Sequence, residues 1–141
     1  MDRLNLGCWN DYREGWTNVD MAPPADVVCD LSVVPWPFPD ESYDGILAAD
    51  ILEHLPDFIA IMNECHRVLK PGGVLEVIVP MPSDNFWLDP THIRPYMPDT
   101  FHIFCSGNDN EAYHGIEPWT KVETRVLSRP QVPAVHARLT K

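Results

Sequence analysis

The spacing of the first two apolar runs most limits what this chain can fold into. Leu4-Asn5-Leu6-Gly7-Cys8-Trp9 reads as a short strand running into a glycine turn. Thr17-Asn18-Val19-Asp20 reads as a second strand ending in a carboxylate. About nine residues lie between Gly7 and Thr17, so one helical turn at most fits there, at about 3.6 residues per turn. A permissive backbone turn beside a strand-end acid is the arrangement in which open α/β sheets hold vicinal hydroxyls. Read alone, the same residues also describe an ordinary turn and a solvated acid.

The pattern continues in order. Ala25–Asp30 reads as a third strand, again closed by an acid, and the link Met21–Ala25 is too short and proline-rich for a helix. An extended Pro-Pro segment at roughly 3.3 Å per residue can still recross a short strand. Pro35–Asp40 is a stiff loop, and Tyr43–Ala49 is a buried fourth strand. Phe58, Ile61, Met62, Cys65, Val68 and Leu69 follow helical spacing, and Lys70-Pro71-Gly72-Gly73 stops that helix. Val74–Val79 is a fifth strand. The long region 81–118 offers one short helical candidate, Asp99–Phe104. Two alternating runs, at Val122–Val126 and Val135–Leu139, make a hairpin joined at Ser128–Pro133. The expected fold is α/β, a Rossmann-like, mostly parallel sheet closed by a C-terminal antiparallel hairpin, with residues 1–141 forming one minimal domain.

Composition narrows function by exclusion. A net charge of −11 argues against a broad nucleic-acid surface, which needs a basic face. No run of eighteen apolar residues is present, and Met1-Asp2-Arg3-Leu4 lacks the apolar core of a signal peptide, so a cytoplasmic protein without a membrane span is expected. Cys8, Cys29, Cys65 and Cys105 form no CxxC pair; Cys29 and Cys65 read as small buried apolar residues. The fifteen prolines fall between the apolar runs and mark stiff connections.

Leu4-Asn5-Leu6-Gly7-Cys8, Asp50-Ile51-Leu52-Glu53-His54-Leu55 and His66-Arg67-Val68-Leu69-Lys70-Pro71-Gly72-Gly73, with Asp89-Pro90-Thr91-His92 further on, resemble the class I S-adenosylmethionine-dependent methyltransferases. The resemblance covers nearly the whole chain. It implies S-adenosylmethionine as cofactor, with Asn5, Gly7, Cys8 and Trp9 at the first turn, Asp20 on the ribose hydroxyls, Asp30 and Leu31 at the adenine, and Ala49 and Asp50 beside the methionine portion. His54 and His92 are the candidate catalytic bases, and the acceptor is a small molecule or a protein. Trp9 and Asp11 stand where the family's turn usually carries glycines, and the helix between strands one and two is nearly absent. Trp9 is therefore expected at the rim of a reshaped pocket, where its replacement by glycine would shift cofactor affinity.

Other readings stay open at this point. The chain could be an inactive cofactor-binding or partner-subunit domain of the same fold. A nicotinamide-dependent oxidoreductase shares the glycine turn and strand-end acid, although the Lys-Pro-Gly-Gly strand entry and the terminal hairpin speak against it. Imidazole and carboxylate from Asp89, His92 and His54 suit a metal, but the spacing is not diagnostic and no metal is assigned. Short links near strands one to three leave too little chain to cover both sheet faces. An uncovered apolar face there predicts a homodimer or a partner chain over the N-terminal half of the sheet.

Overall fold

The computed structural model describes residues 1–107 and 109–141. Strands β1 (Arg3–Leu6), β2 (Thr17–Asp20), β3 (Val27–Val28), β4 (Tyr43–Ala49), β5 (Leu69–Pro80), β6 (Lys121–Leu127) and β7 (Ala134–Thr140) form one sheet in the order β3-β2-β1-β4-β5-β7-β6. Pairing is parallel from β3 through β5, and β7 runs antiparallel to both β5 and β6. This is the expected Rossmann-like sheet with its closing hairpin.

Helix α1 (Phe58–Val68) is the one long helix among the described residues. Asp57 caps it, its carboxylate accepting from the Ala60 N–H at 3.0 Å. Phe58, Ile61, Met62, Cys65 and Val68 fall on one face and share a core with Leu4, Leu6, Ile46, Ala48, Leu75 and Val77. On the flank of α1, Glu64 accepts from the Trp36 N–H at 2.6 Å, and Arg67 donates to the Phe38 carbonyl at 2.9 Å. These contacts fix the proline-rich loop. After α1 the pairing passes from Tyr43↔Leu69 to Gly45↔Val74, so Lys70–Gly73 protrude from β5. A Cβ at Gly73 would lie 2.8 Å from the Lys70 carbonyl, which is why glycine stands there.

The third strand is shorter than the sequence pattern predicts. Asp26, just before it, stays bound to β2: its N–H donates to the Asn18 carbonyl (2.9 Å), and its carboxylate accepts from the backbone N–H (2.8 Å) and side-chain amide (2.9 Å) of Asn18. The expected helix at Asp99–Phe104 is a 3-10 segment over Pro98–Phe104. Phe101 and Phe104 from it, together with Tyr96, pack edge-on around Phe58 with ring centroids 5.1–5.8 Å away. A second 3-10 segment spans Asp84–Leu88, and α2 (Asn110–His114) is a single turn.

The face of the sheet away from α1 is mixed: Asn5, Asn18 and Leu47 on it are buried, and charged residues follow on β5, β7 and β6. One cross-strand row runs Asn18–Asn5–Leu47–Glu76–Arg138–Glu123, and the next places Ile78 beside His136 and Arg125. Glu76 lies 3.9 Å from both Arg138 and His136, and Arg125 donates to His136 at 3.0 Å. Opposite charges paired across β5, β7 and β6 suit the antiparallel end of this face to water.

Candidate active site

The short connection after β1 is held by side chains instead of a helix. The buried Asn5 amide donates to the Asp11 carbonyl (2.6 Å) and to Asn18 Oδ1 (3.1 Å). Asn18, also buried, accepts from the Arg13 N–H and donates to the Arg13 and Trp16 carbonyls. This network folds residues 9–16 back over the sheet and leaves the Gly7 turn open. Gly7 has φ +66°, and its N–H donates to the Val19 carbonyl at 2.9 Å. A Cβ there would sit 2.7–2.9 Å from carbons of the Ile51 side chain, so the turn approaches the segment after β4 as closely as bare backbone allows.

Gly7, Asp20, Asp30, Leu31, Ile51 and His54 border a cleft of about 440 Å³ at the carboxyl ends of β1 and β2. Asp20 Oδ2 accepts from the Trp9 N–H at 2.8 Å, and Oδ1 accepts from the Met21 N–H at 2.7 Å. Asp30 Oδ1 accepts from the hydroxyl (2.6 Å) and N–H (2.9 Å) of Ser32, bonds that hold its carboxyl below the usual carboxylate range.

On the far side of the cleft, the segment 89–96 is sewn to the turn after β4. The Ile93 N–H donates to the Glu53 carbonyl (2.7 Å), Arg94 donates to the Pro56 carbonyl (2.8 Å), and the Tyr96 hydroxyl donates to the Leu52 carbonyl (3.0 Å). These bonds bring His92 beside His54, with ring centroids 4.9 Å apart. The Thr91 hydroxyl donates to Asp89 Oδ1 (2.6 Å) and lies 2.9 Å from His54 Nδ1. Its single hydrogen is engaged with the carboxylate, so His54 Nδ1 is the donor and Nε2 carries the lone pair. The His92 Nδ1–H donates to the Phe86 carbonyl at 2.8 Å, which likewise leaves Nε2 as the free position; Asp89 Oδ2 stands 3.5 Å from it. His92, Asp89, Asn85 and Gln131 border a second hollow of about 760 Å³ next to the first.

The residues singled out from the sequence thus separate. Gly7, Asp20, Asp30, Leu31 and His54 meet at the cleft, and His92 joins them through His54. Asn5 is engaged in the buried network. Cys8 is buried with its thiol 3.8 Å from the Pro24 carbonyl. Trp9 is 77% exposed and meets Asp20 through its N–H. Ala49 ends β4, half-buried, and Asp50 is held by Arg129 through two bonds of 2.8 and 3.1 Å. Sequence reading gave no role to Glu53, which is 2% exposed, with Oε2 buried and unpartnered. Burial pushes its carboxyl up to about 8. The available signal was an acid flanked by Leu52 and Leu55 and followed by a histidine.

The strand order and the position of the cleft define a Rossmann-like α/β domain whose cleft opens at the carboxyl ends of the parallel strands. The family described as "Methyltransferase domain" matches residues 14–77. A Mycolicibacterium smegmatis protein described as "Probable S-adenosylmethionine-dependent methyltransferase" is 40% identical over 63 residues, which is 41% of this chain and 24% of that protein's length. An Archaeoglobus fulgidus SAM-dependent methyltransferase superposes with a TM-score of 0.73 at 16% identity, covering 99% of this chain and 86% of that one. The Burkholderia thailandensis 1,6-didemethyltoxoflavin-N1-methyltransferase, solved with 1,6-didemethyltoxoflavin and S-adenosylhomocysteine bound, gives 0.69 at 14% identity, covering 99% and 70%. The fold is that of the class I S-adenosylmethionine-dependent methyltransferases, and this chain spans about a quarter of the length of the curated relative it matches. No helix among the described residues is long and apolar enough to cross a membrane.

Proposed function

We propose that this chain is a methyltransferase that binds S-adenosylmethionine in the Gly7–Asp20–Asp30 cleft and methylates a small-molecule acceptor entering from the His92 side. The observation that carries this reading is the aim of Asp20. Each of its oxygens takes one backbone N–H, and a carboxylate offers about four acceptor sites, which leaves room for two hydroxyls. Gly7 presents backbone without a Cβ, and Asp30 with Leu31 forms the wall beyond Asp20. The acidic lining suits a cationic ligand.

S-adenosylmethionine supplies an electrophilic sulfonium methyl. The protein's part is to bind, align and remove one proton. Alignment of two bound reactants is worth about 7–11 kcal/mol in favourable cases, so little covalent participation is needed. His54, whose Nδ1 is bonded to Thr91 and through it to Asp89, would accept the acceptor's proton at Nε2, with His92 as its neighbour for relay. Cytoplasmic residence belongs to this reading.

A second reading, an inactive cofactor-binding or partner-subunit domain, draws on the missing helix after β1 and on Trp9 in the turn. One experiment separates them. Calorimetry with S-adenosylhomocysteine and with NAD tests the cleft, and S-adenosylhomocysteine release across an acceptor panel tests turnover. Binding with turnover is expected. Binding without turnover on any acceptor assigns the second reading, and no binding removes both.

A further inference from the structure

Glu53, His54 and His92 come from two segments, and the structure brings one ligand atom of each within 4.8 Å of the other two. We propose that these three residues form a binding site for a divalent metal ion of the zinc class, at the boundary between the cleft and the adjoining hollow. Three independent features support it.

The first is Glu53. Its side chain is almost wholly buried, and Oε2 has no hydrogen-bond partner among the described residues. A buried acceptor left unmatched is costly, and a cation is a partner that satisfies it. The second is the hydrogen-bonding of the imidazoles. His54 Nδ1 is engaged by Thr91, which is anchored by Asp89, and His92 Nδ1 is engaged by the Phe86 carbonyl. Metal-bound histidines typically show this outer shell, in which one ring nitrogen is tied back so that the other is presented with its lone pair. The third is the donor set. Two imidazoles and one carboxylate suit zinc, cobalt or ferrous iron over magnesium or calcium, which prefer all-oxygen sites. Bonds of about 2.1 Å put tetrahedral ligands roughly 3.4 Å apart, so binding draws the three groups together by at most about 1.4 Å.

The site adjoins the proposed cofactor cleft, so the inference rests on the methyltransferase reading and refines it: with the ion bound, an acceptor hydroxyl on it would be acidified and release its proton to solvent water, and the base role given to His54 would apply to the metal-free protein alone. The test needs neither cofactor nor acceptor, so its outcome is independent of that reading.

The chelator-treated 141-residue chain is titrated with Zn²⁺ against a chromophoric chelator, and with Co²⁺ by visible absorption. About one equivalent is expected to bind, with Co²⁺ bands of a four- or five-coordinate nitrogen–oxygen site. Glu53→Gln, His54→Gln and His92→Gln should each weaken binding at least about tenfold, Thr91→Val by less, and His136→Gln on the opposite face not at all. Circular dichroism checks folding, and where a variant does not fold the wild-type Co²⁺ spectrum decides. No stoichiometric binding by the wild type, or binding retained in all three ligand variants, overturns the proposal.

Discussion

The main-chain N–H of Trp9 donates to Asp20 Oδ2 over 2.8 Å, so the turn after β1 is tied to the acid at the end of β2. One carboxylate therefore has two tasks. It closes a turn that lacks its helix, and it faces the cleft with unused acceptor capacity. Asp20→Ala should weaken S-adenosylhomocysteine binding at least about tenfold, because charge-assisted hydrogen bonds are worth roughly 1.5–3 kcal/mol each. It should also lower Tm by about 3–5 °C through the lost turn contact. Calorimetry on the folded variant checks the first effect, and equal affinity would remove Asp20 from the site.

Trp9 carries its exposed ring at φ +27°, a conformation glycine adopts without strain. Because only its N–H reaches Asp20, Trp9→Gly should leave cofactor affinity within about twofold while raising stability by up to about 1 kcal/mol. Urea unfolding measures the stability change. A large change in affinity would return the indole to the pocket.

Gly7→Ala meets both a positive φ and the Ile51 side chain at 2.7–2.9 Å. The variant should lose about 1–3 kcal/mol and bind cofactor more weakly as Ile51 is pushed toward the cleft. Adding Ile51→Ala should recover part of both losses. An additive double-mutant cycle would show that the two positions do not interact.

The Asn5–Asn18–Asp26 network stands in for a helix, so Asn18→Ala should cost about 2–4 kcal/mol by leaving several buried partners unmatched. The Tyr12 hydroxyl at 2.7 Å, together with the Asn18 donors, holds the Asp26 carboxyl below its ordinary value. Because the folded value is lowered, the stabilisation is complete above the unfolded pKa and is lost as pH falls through the folded one. The stability gap between wild type and Asp26→Asn should be constant near neutrality and close below about pH 4. A gap that persists in acid would show that Asp26 contributes by geometry alone.

The charged row spans β5, β7 and β6, and over β1 and β2 the buried Asn5 and Asn18 hold residues 9–16 against the same face. Light scattering at micromolar concentration should give a monomer, and a stable dimer would restore the expectation of a partner over β1–β3. Glu76→Leu, which breaks the charge row and adds apolar surface, should promote self-association.

Much of this protein is determined locally. Strand β4 is a continuous apolar run, helix α1 has a helical apolar period and the closing hairpin alternates, and their bounds agree with those patterns. Gly7, Asp20 and Asp30 were legible for a related reason: a strand-end acid and a turn glycine lie where their neighbours in sequence put them. Tertiary structure decided the rest. Asn5 and Asp26 could not be read as partners of Asn18, since their bonds cross strands. The polarity of the outer face depended on register, which sets Glu76 against Arg138 across chain segments far apart in sequence. Glu53 and His92 are separated by a strand, a helix and a long loop, and no local pattern links them. Packing of the 89–96 segment against the turn after β4 brought a buried, unpartnered carboxylate oxygen beside two imidazoles. That juxtaposition is a property of the folded chain, because periodicity encodes which face a residue shares and not which distant segment lies opposite it.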